Sequence, residues 1–303
     1  YEIVDCDWSS DVCSSDLPSR PPMPPRRSWL ASAGLAALAP VVRAAPGGLP
    51  SQIDHDGTSP EFERLRQHLF GQRPLLSGPA SQVQLQVPLR AAYGASVPVK
   101  VLPRFGAQTA ALAVRRYTLL VDKNPSPVAA TIELGPAIAV AELETRLRVD
   151  EYGHLRVVAE LSDGSLHLAS RYVKVSGGCS APPNRDHPER IGQTRFRLPE
   201  GLHADGSPTV AELTVVHPND TGFELNQVTV MYIPPHFVRR LRARLDEALL
   251  FDMDCDFSVS ENPSWRFVFR SPPGGAGRLL AEVEDSKEQR FSGALDLRSG
   301  VAS

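Results

Sequence analysis

One cysteine is placed for covalent chemistry. Cys179 follows two glycines in Val175-Ser176-Gly177-Gly178-Cys179-Ser180-Ala181-Pro182-Pro183. A thiol reacts as its thiolate, and its sulfur can hold a group as a reversible adduct. Gly177 and Gly178 give the backbone freedom that a Cβ removes, so they read as a hinge. Ser180 and Ala181 lead out, and Pro182 and Pro183 stiffen the exit. The expectation is a short mobile arm carrying an exposed thiol. Lys174 and Arg185 are the nearest bases in sequence, and neither guarantees a lowered thiol pKa.

Turnover would require a base and an oxyanion site beside that thiol. The sequence contains no CxxC, HExxH, GxSxG, Walker loop or GxGxxG. His154, His167, His203 and His217 are scattered and read as surface or turn residues. Asp252, Asp254 and Asp256 invite a calcium reading. Alternate strand residues make a line rather than a cage, however, and the glycine of an EF-hand loop is missing. No catalytic residue, metal ligand or tightly bound cofactor is therefore assigned, and Cys179 is suited to carriage.

Cys255 is a different kind of thiol. Leu249, Phe251, Met253, Cys255, Phe257 and Val259 alternate with Asp252, Asp254, Asp256 and Ser258. That period of two puts Cys255 on the apolar face of a strand, as a small buried hydrophobe. A disulfide to Cys179 would need Cα atoms within roughly 7 Å, and the two cysteines sit on unlike segments.

The elements around Cys179 are mostly strands. Ser59-Pro60 caps and opens a short helix with Phe62, Leu65, Leu69 and Phe70 on one face, and Gly71 ends it. Strands follow at 83–89, 97–101, 117–121, 131–134, 141–149, 155–161 and 166–175, with a hairpin expected over Asp150 to His154. Pro182 to Arg195 is polar and reads as a linker. Strands resume at 210–217 and 228–233, and Pro234-Pro235 stops the second. Phe237 to Leu245 interleaves Arg239, Arg240, Arg242 and Arg244 with apolar residues. It reads as a strand with a solvated arginine face rather than a basic helix. Further strands follow around Trp265, Leu279 and Phe291. The fold class is all-β: two immunoglobulin-like β-sandwiches in tandem, with a short N-terminal helix on the first.

The N-terminus reads differently. Tyr1 to Leu17 is what a common sequencing adapter gives when translated, so residues 1–17 are set aside from fold reasoning. Met23 is a candidate initiator, followed by Arg26-Arg27-Ser28-Trp29-Leu30, an apolar run, and Val42-Arg43-Ala44. Residues 23–44 fit a secretory signal peptide of the twin-arginine type, which implies the periplasm. The apolar run is too short and too rich in Ala and Gly to span a bilayer comfortably. The whole chain of 303 residues has a net charge of -3. Leaving out five acids in 1–17 and four arginines in 18–44 gives -2 from Ala45 on. That near-neutral balance does not point to nucleic acid.

The landmarks then fall into two sets. Leu69-Phe70-Gly71, Asp122-Lys123-Asn124-Pro125-Ser126-Pro127, Thr145-Arg146-Leu147-Arg148-Val149 and the Gly-Gly-Cys arm, over residues 55–182, resemble the SoxY sulfur-carrier subunit. His217-Pro218, Thr221-Gly222, Tyr232-Ile233-Pro234-Pro235-His236-Phe237 and Ser260-Glu261-Asn262-Pro263, over 196–303, resemble its partner SoxZ, with 183–195 as the linker. Together they are similar to the fused SoxYZ-like carriers associated with quinoprotein dehydrogenases. The resemblance implies two immunoglobulin-like domains paired within one chain in the periplasm. It also implies a covalent sulfur adduct on Cys179, presented to sulfur-oxidation enzymes or to a quinoprotein dehydrogenase and its cytochrome c. The family's arm ends its chain as Gly-Gly-Cys-Gly-Gly, whereas here Ser180-Ala181-Pro182-Pro183 and a whole domain follow. Two other readings stand beside the carrier. One is an accessory or binding module for a periplasmic dehydrogenase, with Cys179 incidental; the other is a thiol enzyme with a base supplied through tertiary contact.

Overall fold

The computed structural model describes residues 57–298. The adapter-like residues 1–17 and the signal pattern at 23–44 lie outside the described residues. No helix among the described residues is long and apolar enough to cross a membrane.

The one α-helix among the described residues, α1 (Pro60–Phe70), forms where its caps place it. Ser59 Oγ accepts the N–H of Phe62 at 3.1 Å, and Gly71 ends the helix at φ +60°. Its buried face is Phe62, and the Arg156 guanidinium lies 4.0 Å from that ring. Arg156 is itself fully buried and pairs with Asp122 at 2.8 Å. Asp122 also accepts from Ser59 Oγ at 2.7 Å, so one buried ion pair fastens the helix cap to the sheet.

The first half carries β1 (Leu75–Leu76), β2 (Val83–Gln86), β3 (Val97–Pro103), β4 (Val114–Val121), β5 (Val128–Leu134), β6 (Ile138–Leu147), β7 (Gly153–Leu161) and β8 (Leu166–Val173). The second half carries β9 (Thr194–Arg197), β10 (Pro208–Val215), β11 (Leu225–Asn226), β12 (Met231–Tyr232), β13 (Val238–Leu245), β14 (Ala248–Cys255), β15 (Ser264–Arg270), β16 (Arg278–Asp285) and β17 (Arg290–Asp296). The fold is all-β, and each half is a sandwich of immunoglobulin-like type.

The halves do more than touch. One sheet runs β1-β8-β7-β4-β5-β14-β13-β16-β17, and the other runs β2-β3-β6-β15-β10-β9. Both sheets therefore cross from the first half into the second. At one seam β5 and β14 are antiparallel, with Ile132 opposite Met253 and Ala130 opposite Cys255. At the other, β15 pairs with β6, with Phe267 opposite Leu143. Pairing edge to edge removes two open strand edges from each half. Between the sheets lies one continuous apolar core, from Val83 and Tyr117 to Trp265 and Leu295.

Two expected elements differ. β6 and β7 do not form a hairpin, because they lie in opposite sheets. The N–H of Arg148 goes to Ser258 O (2.7 Å) and that of Val149 to Gly94 O (2.8 Å), which carries the chain across the sandwich. The strand expected over 228–233 shrinks to β12. Asn226 Oδ1 accepts the N–H of both Val228 and Thr229, so a side-chain turn replaces strand pairing there. Val228 is left 92% exposed at the tip of a two-stranded ribbon. The arginine segment is a strand, β13, as expected, and Asp252 is bound by both Arg240 and Arg242. That ion-paired carboxylate does not serve a cation cage.

Candidate functional site: the socket around Cys179

The chain leaves β8 and settles against the crossover between β6 and β7. Gly177 N–H donates to Asp150 O (2.8 Å) and Gly178 N–H to Val149 O (2.9 Å). Cys179 N–H points at Asp150 Oδ1 at 3.4 Å. The exposed thiol expected from sequence is not found: Cys179 is only 1% exposed. The arm is seated, because its main-chain donors are taken up one after another by residues 149 and 150. Gly177 is exposed and has φ +75°, a conformation that suits glycine. Gly178 is buried, and a Cβ there would overlap the carbonyls of Gly94 and Val149. Its glycine serves close approach as well as freedom. Ser180 and Pro182 are exposed, Ala181 is half-buried and Pro183 is buried.

The second half closes the socket. Thr221 Oγ1 donates to Cys179 O, and accepts the N–H of Phe223 at 3.1 Å. Asn184 N–H donates to Glu261, and Arg185 pairs with Asp220 and Glu224. From the first half, Asn124 fixes the socket wall. Its Nδ2 donates to Arg148 O (2.8 Å) and Ser258 Oγ (2.9 Å), while its Oδ1 accepts the N–H of Asp150 (2.9 Å).

Arg148 stands beside the arm with 1% of its surface exposed. Nη1 donates to Gly178 O (3.0 Å) and Ala181 O (3.4 Å). Nη2 donates to Pro218 O (3.5 Å) and Asn219 O (3.3 Å). One side chain thus holds the arm with one end and the second half with the other. Strand alternation in β6 did not mark Arg148, since it follows the last strand residue, Leu147, and breaks phase by turning inward.

Burial pushes the Cys179 thiol up to about 12, with Asp150 raising it further and Arg148 opposing. In this seated state it is a protonated, poorly nucleophilic thiol. Cys255 is on the core face, as its phase predicted, and burial raises it too. Both cysteines among the described residues are free.

Residues 66–179 match the family model described as "Sulfur oxidation protein SoxY". Residues 196–296 match the one described as "Sulphur oxidation protein SoxZ". The chain is a SoxY domain joined to a SoxZ domain. The SoxY match ends on Cys179, and the SoxZ match begins on Phe196 at β9. No curated protein sequence matches. Among solved structures, the sulfur carrier protein SoxY from Chlorobium limicola f thiosulfatophilum is similar at 24% identity and TM-score 0.30, over 38% of this chain and 91% of that one. The superoxide reductase (Neelaredoxin) from Ignicoccus hospitalis is similar at 14% identity and TM-score 0.30, over 34% and 95%.

The histidines expected at the surface include two buried ones. His167 of the SoxY half accepts the N–H of Gln82. His217 of the SoxZ half clusters with His236 and Asp285, their ligand atoms within 4.8 Å. His217 Nδ1 accepts the N–H of Asn219 at 3.1 Å, so in the neutral ring Nε2 carries the hydrogen. His236 Nε2 lies 2.7 Å from Asp285 Oδ2, whereas His217 Nε2, 3.6 Å from the same oxygen, is buried without a hydrogen-bond partner; in this tautomer it offers a proton and no lone pair to a metal. The cluster sits under the 217–221 loop: His236 and Asp220 exchange main-chain hydrogen bonds.

Proposed function

We propose that this SoxY–SoxZ chain is a non-catalytic carrier that holds a sulfur-containing intermediate on Cys179 and presents it to partner enzymes. The observation that carries the reading is the position of Cys179. The thiol closing the SoxY match sits at the seam with the SoxZ half, on an arm held by main-chain hydrogen bonds to residues 149 and 150 and by the Thr221 hydroxyl. Seated, the thiol is sheltered and protonated. Released, it is a thiol of ordinary reactivity on an arm with Gly177 at its base.

Loading with an anion of the thiosulfate class would join Cys179 Sγ to the terminal sulfur. That S–S bond forms with loss of the thiol proton and two electrons, and the proposed acceptor is a c-type cytochrome of the partner system. Partner enzymes would be of the sulfur-oxidation type or a quinoprotein dehydrogenase. The periplasm is the proposed location, on the strength of Arg26-Arg27 and the apolar run after them. The charged groups bearing on the thiol are Asp150 and Arg148.

The test is the intact mass of protein from its native host. An adduct on Cys179 that reductant removes, and that Cys179→Ser lacks, supports carriage. Protein unmodified with every sulfur compound offered overturns it. The burial of Cys179 favours a second reading, an accessory module for a periplasmic dehydrogenase with the thiol incidental. In that case Cys179→Ser keeps its full effect on the dehydrogenase.

A further inference from the structure

Two arginines are buried in the SoxY half, and they are satisfied differently. Arg156 is paired with the Asp122 carboxylate and also donates to Ser170 Oγ and Gly57 O. Arg148 has carbonyl acceptors only, three of its four hydrogen bonds being 3.3 Å or longer. Among the described residues no carboxylate lies within ion-pair distance of it. Its Nε–H is buried without a partner. A guanidinium taken out of water normally needs an anion and a partner for each donor. Arg148 has no direct ion-pair partner and one donor left over, and it is bonded to the carbonyl just before Cys179. Burial lowers its pKa, opposed first by the charge that Cys179 would carry as a thiolate and then by Glu261, Tyr93 and Asp220, none of them in direct contact with it.

We propose that Arg148 is the anion site of the carrier: its unpaired guanidinium receives the negative charge of a small sulfur oxyanion or persulfide group attached to Cys179. The proposal rests on the carrier reading for the identity of the ligand, and on the geometry for the preference for an anion. Asp150 sets the direction. Its carboxylate lies on the main-chain side of Cys179 and disfavours charge on the sulfur itself. The arrangement therefore selects for an adduct whose charge lies beyond the sulfur. A neutral load would leave Arg148 unmatched, and the arm would seat less firmly over it.

Iodoacetate and iodoacetamide test this with probes of similar size, one anionic and one neutral. Both alkylate thiols by the same displacement, and the site is read by peptide mass at Cys179 of the full chain. The reference is a synthetic peptide of residues 175–183, at the same pH and ionic strength, with rates linear in reagent. The expected result is an iodoacetate-to-iodoacetamide ratio roughly tenfold above that of the peptide. Arg148→Met should return the ratio to the peptide value, and Arg148→Lys should retain most of the preference. If Arg148→Met speeds both reagents equally, the residue only fastens the arm and the proposal fails. Should Arg148→Met not fold, the wild-type ratio decides, and a value equal to the peptide's overturns the proposal. A carrier that never yields an adduct in its host would sink the proposed function while leaving an anion preference measurable.

Discussion

Gly94 and Gly178 lie back to back across the arm. A Cβ built on Gly178 runs into the carbonyl of Gly94, and one built on Gly94 meets Ser176 O and the amide nitrogen of Gly178. Neither clash is with a flexible side-chain tip, so relief requires main-chain movement. Gly178→Ala and Gly94→Ala should both unseat the arm and leave most of the sandwich intact. Alkylation of Cys179 by iodoacetamide should rise at least tenfold in either variant. A rate equal to wild type, with an unchanged melting temperature, would mean that the arm does not need this contact.

Thr221 reaches over from the SoxZ half to the carbonyl of Cys179. A hydrogen bond of this kind contributes about 0.5–1.5 kcal/mol net. Thr221→Val keeps the shape and removes both the donor to Cys179 O and the acceptor of the Phe223 N–H. The seated state should weaken enough to raise alkylation of Cys179 about two- to tenfold, with little change in global stability. Hydrogen exchange at the amides of Gly177 and Gly178 should quicken in step. If exchange there is unchanged, Thr221 does not latch the arm.

Acid should weaken the SoxZ half through His217. Burial first, and the neighbouring His236 second, push its pKa down to about 4. An unfolded histidine takes up a proton near pH 6.5. The unfolded state therefore binds the proton first, and stability present above about pH 6.5 drains away down to about pH 4. The loss is on the order of 3 kcal/mol for a shift of that size. Asp285 works in the same direction. Burial pushes it up, but His236 and the N–H groups of Gln289 and Lys287 hold it below the usual carboxylate range. Its contribution is lost as pH falls through that lowered value. In denaturant titrations from pH 7 to 4, His217→Asn should show the shallower slope, and an equal slope would clear His217 of the effect.

The Asp122–Arg156 pair makes a sharper stability prediction. Both side chains are buried, so Asp122→Asn strands a guanidinium without its anion. The cost should be about 3–5 kcal/mol, seen as a drop in melting temperature of about 10 °C. Removing both charges, in Asp122→Asn with Arg156→Met, should cost less than the single change. A double variant worse than the single one would show that Arg156 acts mainly through Gly57, Ser170 and Phe62.

Period-two alternation found nearly every long strand, including β14 with Cys255 turned inward, because each such strand has one face on the core. The caps at Ser59 and Gly71 found α1. What alternation lacks is partner identity. Nothing in Thr131 to Leu134 or in Leu249 to Cys255 says that these strands hydrogen-bond to each other across more than a hundred residues. The same gap hid the crossover at Asp150, since two adjacent strands look alike whether they pair or face each other. The Cys179 motif was legible, but its burial was not. Seating depends on Arg148, Asn124 and Thr221, which are far apart in sequence and converge only through the two seams. Asn226 escaped notice because an Asx turn and a strand start look the same in an apolar stretch.

The seams β5–β14 and β6–β15 also fix the molecule's bookkeeping of parts. A carrier made of separate chains is subject to dilution, and its thiol would lose the Thr221 side of the socket whenever the partners drifted apart. Here the connection from Pro182 to Arg195 keeps the second half at high local concentration, and two shared sheets keep it bonded. Thiol and lid therefore come in a fixed ratio of one to one. How sheltered the thiol is should not vary with how much protein is present.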